Sequence, residues 1–124
     1  MANEITVKPY MRLNNVNLKL TLSPGSSTYD QTGTGYFHQV KNVGTTEESV
    51  ATGGGFGDIT TEGWMYMLNS DVTNYCQWGF STGVYGGRME AGESAGPFRA
   101  EPGLTIFLKS NTATTDIEIF LAED

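Results

Sequence analysis

Wherever the apolar residues of this chain keep a clear rhythm, they recur at almost every second position. Side chains with that period stand alternately on the two faces of a β-strand. Val16, Leu18, Leu20 and Leu22 alternate with Asn17, Lys19 and Thr21, which predicts a strand with one wet and one dry face. Leu104, Ile106 and Leu108 repeat the pattern, as do Ile117, Ile119 and Leu121. The polar run 110–115 between them predicts a turn that joins these last two strands as a hairpin. Ile5 and Val7 open a first strand, which Pro9 must end or push to a sheet edge.

The middle of the chain adds strands over 35–43, 63–69 and 74–80. The last two are apolar on both faces, which predicts a central, doubly covered position or a face used for contact. Arg88–Ala91 and the pair Phe98-Arg99 read as further short strands. Thr45 followed by Glu48 could cap a single helical turn, with a loop between strands as the equal alternative, and Gly53-Gly54-Gly55 stops anything longer. Residues 23–35 form a long, Gly/Thr-rich excursion of the kind that is functional or ordered by a neighbour. The expectation is a single all-β domain over residues 1–124, an antiparallel β-sandwich or jelly-roll-like fold of about seven or eight short strands.

Composition narrows the function classes. The chain has 124 residues, one ordinary domain, with 7 basic and 14 acidic side chains and a net charge of −7. Tracking a phosphate backbone or anionic lipid needs a basic surface, so neither nucleic acid nor a membrane is an expected partner. No basic flank followed by an apolar run opens the sequence, so no secretory signal is expected. The one cysteine, Cys76, cannot staple the chain to itself, which fits synthesis in a reducing compartment.

Catalytic constellations are not found. His38, the one histidine, lies inside a predicted strand and reads as structural. Cys76 has no basic neighbour to lower its pKa and reads as a small buried hydrophobe. One His and one Cys are too few for a tetrahedral zinc site. Asn69, Asp71 and Asn74, with Asp58 and Glu62 upstream, could offer oxygens to calcium, but Asn and Asp at such a link more often shape the turn itself. Glu90 and Glu93 could be paired as a hydrolase dyad, a match any acidic protein offers. Residues 53–57 lack the Lys-Ser/Thr of a phosphate cradle, and Glu47-Glu48 reads as a solvated face. No enzyme, cofactor or metal is expected.

The aromatic residues carry more. Trp64, Tyr66, Tyr75, Trp78, Phe80 and Tyr85 crowd one window, and alternation cannot hide all of them on one face. With Tyr29 from the 23–35 excursion, these are the expected interface residues. Exposed Trp64, Tyr75 or Trp78 could instead be stacking platforms of a carbohydrate-binding module.

From residue 57 onward the order of elements resembles that of small structural proteins of tailed bacteriophage particles. An aromatic strand leads into Asn69-Ser70-Asp71-Val72-Thr73-Asn74-Tyr75; an acidic turn runs from Met89 through Glu90 and Glu93 to Phe98-Arg99; two terminal strands follow. The resemblance covers about half of the chain and implies a β-sandwich virion component made in the bacterial host cytoplasm. Its expected role is capsid decoration, or cement, on the major capsid protein; a tail, neck or fibre position among other virion subunits is the alternative. A subunit in that role is expected to form a symmetric homo-oligomer such as a trimer, and the resemblance carries over no catalytic residue.

Overall fold

A computed structural model describes residues 4–51 and 59–124. The chain forms two compact units, residues 1–32 and 33–124. Among the described residues there is no helix, and all strand pairs are antiparallel.

The first unit is one ribbon folded on itself. Strands β1 (Ile5–Val7) and β2 (Met11–Asn14) run out, and β3 (Lys19–Leu22) and β4 (Ser27–Tyr29) run back. Ile5 pairs with Tyr29 and Met11 with Leu22, so the ribbon is continuous in direction but interrupted by 8–10 on one side and 23–26 on the other. Each interruption holds a proline, Pro9 or Pro24, which cannot donate to the ladder. The tip is a tight turn: the Asn15 N–H donates to the Leu18 carbonyl at 2.9 Å, and the Asn15 Oδ1 accepts from the amides of Asn17 and Leu18. The strand expected from Val16 therefore starts only at Lys19, because Asn15 bends the chain there, and part of the 23–35 excursion is the strand β4.

The second unit is a sandwich-like pair of four-stranded sheets. Its strands are β5 (Tyr36–Val43), β6 (Glu48–Ala51), β7 (Glu62–Asn69), β8 (Cys76–Gly79), β9 (Gly87–Met89), β10 (Ser94–Arg99), β11 (Thr105–Ser110) and β12 (Thr115–Glu123). One sheet has the order β10-β7-β12-β5 and the other β6-β11-β8-β9. The first of these eight strands pairs with the last, the second with the seventh, the third with the sixth and the fourth with the fifth. That nested order is jelly-roll-like, as when a long hairpin is rolled up. The described residues thus form twelve strands against the seven or eight expected of the whole chain, eight in the sandwich and four in the ribbon.

Two local expectations are corrected. Residues 48–51 form strand β6, not a helical turn: the Glu48 carboxylate reaches back to the Gly44 N–H at 2.6 Å, closing a loop instead of capping a helix. β11 and β12 are not a hairpin, since they lie in different sheets. The 110–115 segment crosses between the sheets, and the Ser110 hydroxyl, hydrogen-bonded to Thr115, donates to the Val43 carbonyl in the buried crossing.

The alternation now has a physical meaning. Met65, Met67, Ile117, Ile119 and Leu121 point inward from one sheet and meet Ile106, Leu108, Cys76 and Met89 from the other, all at most 1% exposed. β7 and β8 are both central in their sheets, as expected, but β7 is not doubly covered, since Trp64, Tyr66 and Leu68 stand half-buried on its outer face. β10 is an edge strand, where the proline of the Gly96-Pro97 bulge leaves no ladder bond unmade. Gly96 sits at φ +93°, and a Cβ there would lie 2.7 Å from the Met65 carbonyl oxygen, so this position requires glycine.

Candidate functional site

Alternation in the ribbon produces an unburied stripe. Because Met11 pairs with Leu22 and Leu13 with Leu20, these four side chains share one face, with Arg12, Thr21, Asn14 and Lys19 on the other. The apolar four are 45–69% exposed, so the dry face expected for Leu18, Leu20 and Leu22 is open to solvent. Leu18 beside the tip is half exposed, and Val16 at the tip is almost fully so. A two-stranded ribbon has no second layer of its own in which to bury such a face.

A second apolar surface lies on the outer face of the β10-β7-β12-β5 sheet. There Tyr66 of β7 is registered with Phe120 of β12, and Phe120 with His38 of β5; Glu118 is registered with Val40 one row along. Tyr36, Val40 and Phe120 are 70%, 60% and 40% exposed. The His38 Nε2 lies 2.8 Å from a Glu118 carboxylate oxygen, and the His38 ring meets Phe120 edge-on. His38 is therefore an exposed member of this face and not a core histidine.

The seven expected interface residues are not gathered into one surface. Tyr29 belongs to the ribbon; Trp64 and Tyr66 stand half-buried on the outer sheet face. Tyr75 lies under the Arg88 guanidinium, 3.7 Å from the ring centre. Trp78 and Phe80 come together at a corner of the sandwich with Phe98, whose ring is stacked 9° from parallel on Trp78. A Cβ at Gly87 would collide with the Trp78 indole, so the half-buried ring lies against the Gly87 backbone as well as beside Phe98. Phe80 remains half exposed at this corner, beside Val84. Tyr85 is an anchor: its hydroxyl bonds the Glu47 carboxylate, which pushes the phenol up to about 12. Glu47 also accepts from the Thr82 hydroxyl and the Gly83 N–H, and these bonds lower its pKa. It is thus a clamp on the 81–85 loop and not simply a solvated charge.

The polar residues weighed for chemistry are spent on loop structure. The Asn69 side chain, fully buried, donates to the carbonyls of Asn74, Met89 and Glu90 and accepts from the Asp71 N–H. Asp71 in turn accepts from the amides of Thr73 and Asn74, which lower its pKa. The two motifs that carry the phage resemblance are therefore one structure, with the 69–75 link tied to the 89–93 turn through Asn69. Glu93 accepts from the Glu90 N–H, and Glu90 pairs with Arg88. The buried Glu62 accepts from the Gly103 N–H. Asp58 and the 53–57 glycine run lie outside the described residues. Cys76 is fully buried, which pushes its thiol up. Among the described residues no three His, Cys, Asp or Glu side chains converge as a metal site.

Glu123 is the ionisable group that sequence reasoning missed. Its carboxylate accepts from the amides of Thr34, Gly35 and Thr60 and from the Thr60 hydroxyl, tying two loops to the C-terminal strand. These donors hold it at about 2, below the ordinary 4.5. The stabilisation this gives is complete above the ordinary value and fades as pH falls towards 2. Glu123→Gln, which turns an amide donor towards those same donors, is therefore expected to melt below wild type at neutral pH and to converge with it in acid. Melting curves across that pH range check this, and a pH-independent gap contradicts it.

Comparison with family models, curated proteins and solved structures finds no match to this chain.

Proposed function

We propose that this chain is a bacteriophage virion structural protein that decorates or cements the capsid and works by binding, not by catalysis. The observation that carries this reading is the ribbon's open stripe of Met11, Leu13, Leu20 and Leu22, a coherent apolar surface on paired strands. Coherent exposed apolar faces are the mark of proteins that function in contact with others. The resemblance of the 69–75 link and the 89–99 turn to phage structural proteins supplies the setting, the major capsid protein as partner. Each bound copy adds contact area across neighbouring shell subunits, and shell opening must then be accompanied by dissociation, which stabilises the closed shell by mass action. A tail, neck or fibre position shares every feature named here and differs in copy number.

Add-back to particles tests the proposal. Purified protein mixed with shells that lack it should pellet with them, saturate at a fixed ratio to the shell subunit and raise the temperature of shell rupture. Protein that stays in the supernatant at every ratio contradicts shell binding.

A further inference from the structure

Strand β5 is the one long sheet edge left open among the described residues. Its eight residues, Tyr36–Val43, pair with β12 in unbroken register and hold no proline. The opposite edge of that sheet, β10, is interrupted by Pro97 and a register shift, and β6, β9 and the ribbon strands are no more than four residues long. Two backbone bonds fix which groups of β5 face outward. The Glu123 N–H donates to the Gly35 carbonyl one step beyond the ladder, and the Ser70 N–H donates to the Asp116 carbonyl on the other side of β12. Bonding alternates along an antiparallel pair, so Phe37, Gln39, Lys41 and Val43 bond β12. Tyr36, His38, Val40 and Asn42 turn their N–H and C=O groups away from it, and among the described residues nothing bonds those outward groups. An open row of backbone donors and acceptors is a template for another strand.

We propose that β5 of one copy pairs antiparallel with β5 of a second copy across a two-fold axis at Gln39, joining their β10-β7-β12-β5 sheets into one. The pairing uses no residue of the ribbon's stripe and does not depend on shell binding. The strand itself selects its own copy as the occupant. With Gln39 opposite Gln39, Tyr36 stands opposite Asn42 and His38 opposite Val40, so every outward N–H and C=O of these residues finds a partner. No like charges come opposite one another. Lys41 faces Phe37 of the second copy, and its charge is already held by Glu48 of its own copy at 3.6 Å. His38 is held by its own Glu118 at 2.8 Å. Edge strands that avoid pairing carry an unmatched charge, a bulge or a proline, and β5 carries none of these. Tyr36 and Val40, 70% and 60% exposed on the outer face, gain cross-strand neighbours. A single strand pair is small beside the roughly 800 Å² per partner of a tight complex, so the dimer is a weak one.

Sedimentation and cross-linking of the full chain test this. Wild type should dimerise as its concentration rises from about 1 μM to about 1 mM. Val40→Pro removes an outward N–H and leaves the ladder to β12 intact, so it should raise the dissociation constant on the order of tenfold or more. Val40→Thr keeps the backbone and should stay within about threefold of wild type. Circular dichroism checks each fold, and Val40→Lys replaces the proline variant if that one does not keep it. Gln39→Cys reads the register: across the axis it meets itself at a non-hydrogen-bonded position, where Cα atoms stand about 4.5 Å apart, within disulfide range. It should oxidise to a covalent dimer at least about tenfold faster than Asn42→Cys, which lies far from its own counterpart in this register. Cys76 is buried and does not compete. Wild type monomeric at about 1 mM, Val40→Pro that dimerises like wild type, or Asn42→Cys that cross-links as fast as Gln39→Cys each overturns the pairing. Monomeric wild type whose pelleting with shells is lost in Val40→Pro gives the edge to a strand of the shell and overturns the second copy as its occupant. A dimer that does not pellet leaves this inference standing and removes the proposed function.

Discussion

Leu108→Ala should destabilise the protein by about 3 kcal/mol, while Leu20→Ala should change the stability of the isolated monomer by less than about 0.5 kcal/mol. Leu108 is fully buried in β11, between β6 and β8, where its removal leaves a cavity among residues fixed by two sheets. Leu20 is about half exposed on the ribbon, so its side chain has little transfer free energy to lose on truncation. Denaturant titration of the two variants at low protein concentration reads the difference directly. Equal losses would mean that the ribbon's stripe is buried in the monomer, and would remove the surface on which the proposed function depends.

Asn69→Ala should also cost about 3 kcal/mol, although it removes no more than a small polar side chain. The lost amide takes a donor from the carbonyls of Asn74, Met89 and Glu90, the last of which keeps the Glu93 N–H, and an acceptor from the N–H of Asp71, at a position with no exposure. Backbone bonds add to the junction: the Asn69 N–H donates to the Glu93 carbonyl, and the Gly92 N–H to the Asn69 carbonyl. These remain in the variant, so the two loops should loosen without the sandwich coming apart. Asn69→Asp makes the sharper comparison, because a carboxylate would face three carbonyl oxygens with nothing to donate, and its loss should be at least as large. Thermal melts with amide exchange at residues 70–75 and 89–93 check this. A wild-type melt for either variant contradicts the role given to Asn69.

Those three residues also show what was legible in the sequence. Leu20 and Leu108 sit in equally regular alternation, and period two correctly places both on a strand with its apolar residues on one face. Whether that face is covered depends on a second layer, which comes from distant parts of the chain, so the sequence pattern alone cannot separate a core leucine from an exposed one. The same limit explains the crossing at 110–115. A polar turn between two alternating strands suits a hairpin, but pairing of β11 with β6 and β8, and of β12 with β5 and β7, sends them to opposite sheets. Asn69 and Asp71 were recognisable as turn residues from local chemistry. The further reach of Asn69 to residues twenty positions on was not, since no local signal encodes it. Glu123 likewise has only a strand's alternation around it, and its donors come from residues 34, 35 and 60. Among the aromatics, the crowding of Trp78 and Phe80 in one window is legible in the sequence, but their meeting with Phe98, from a distant strand, is a tertiary fact.

The central claim, that the chain is a shell-binding virion subunit, is tested most directly by its copy number. Quantitative mass spectrometry of purified phage particles gives the ratio of this chain to the major shell protein. A ratio close to that of the shell protein is the predicted result. A ratio of a few per cent contradicts decoration and moves the chain to the neck, tail or fibre, and absence from the particles contradicts the virion role altogether.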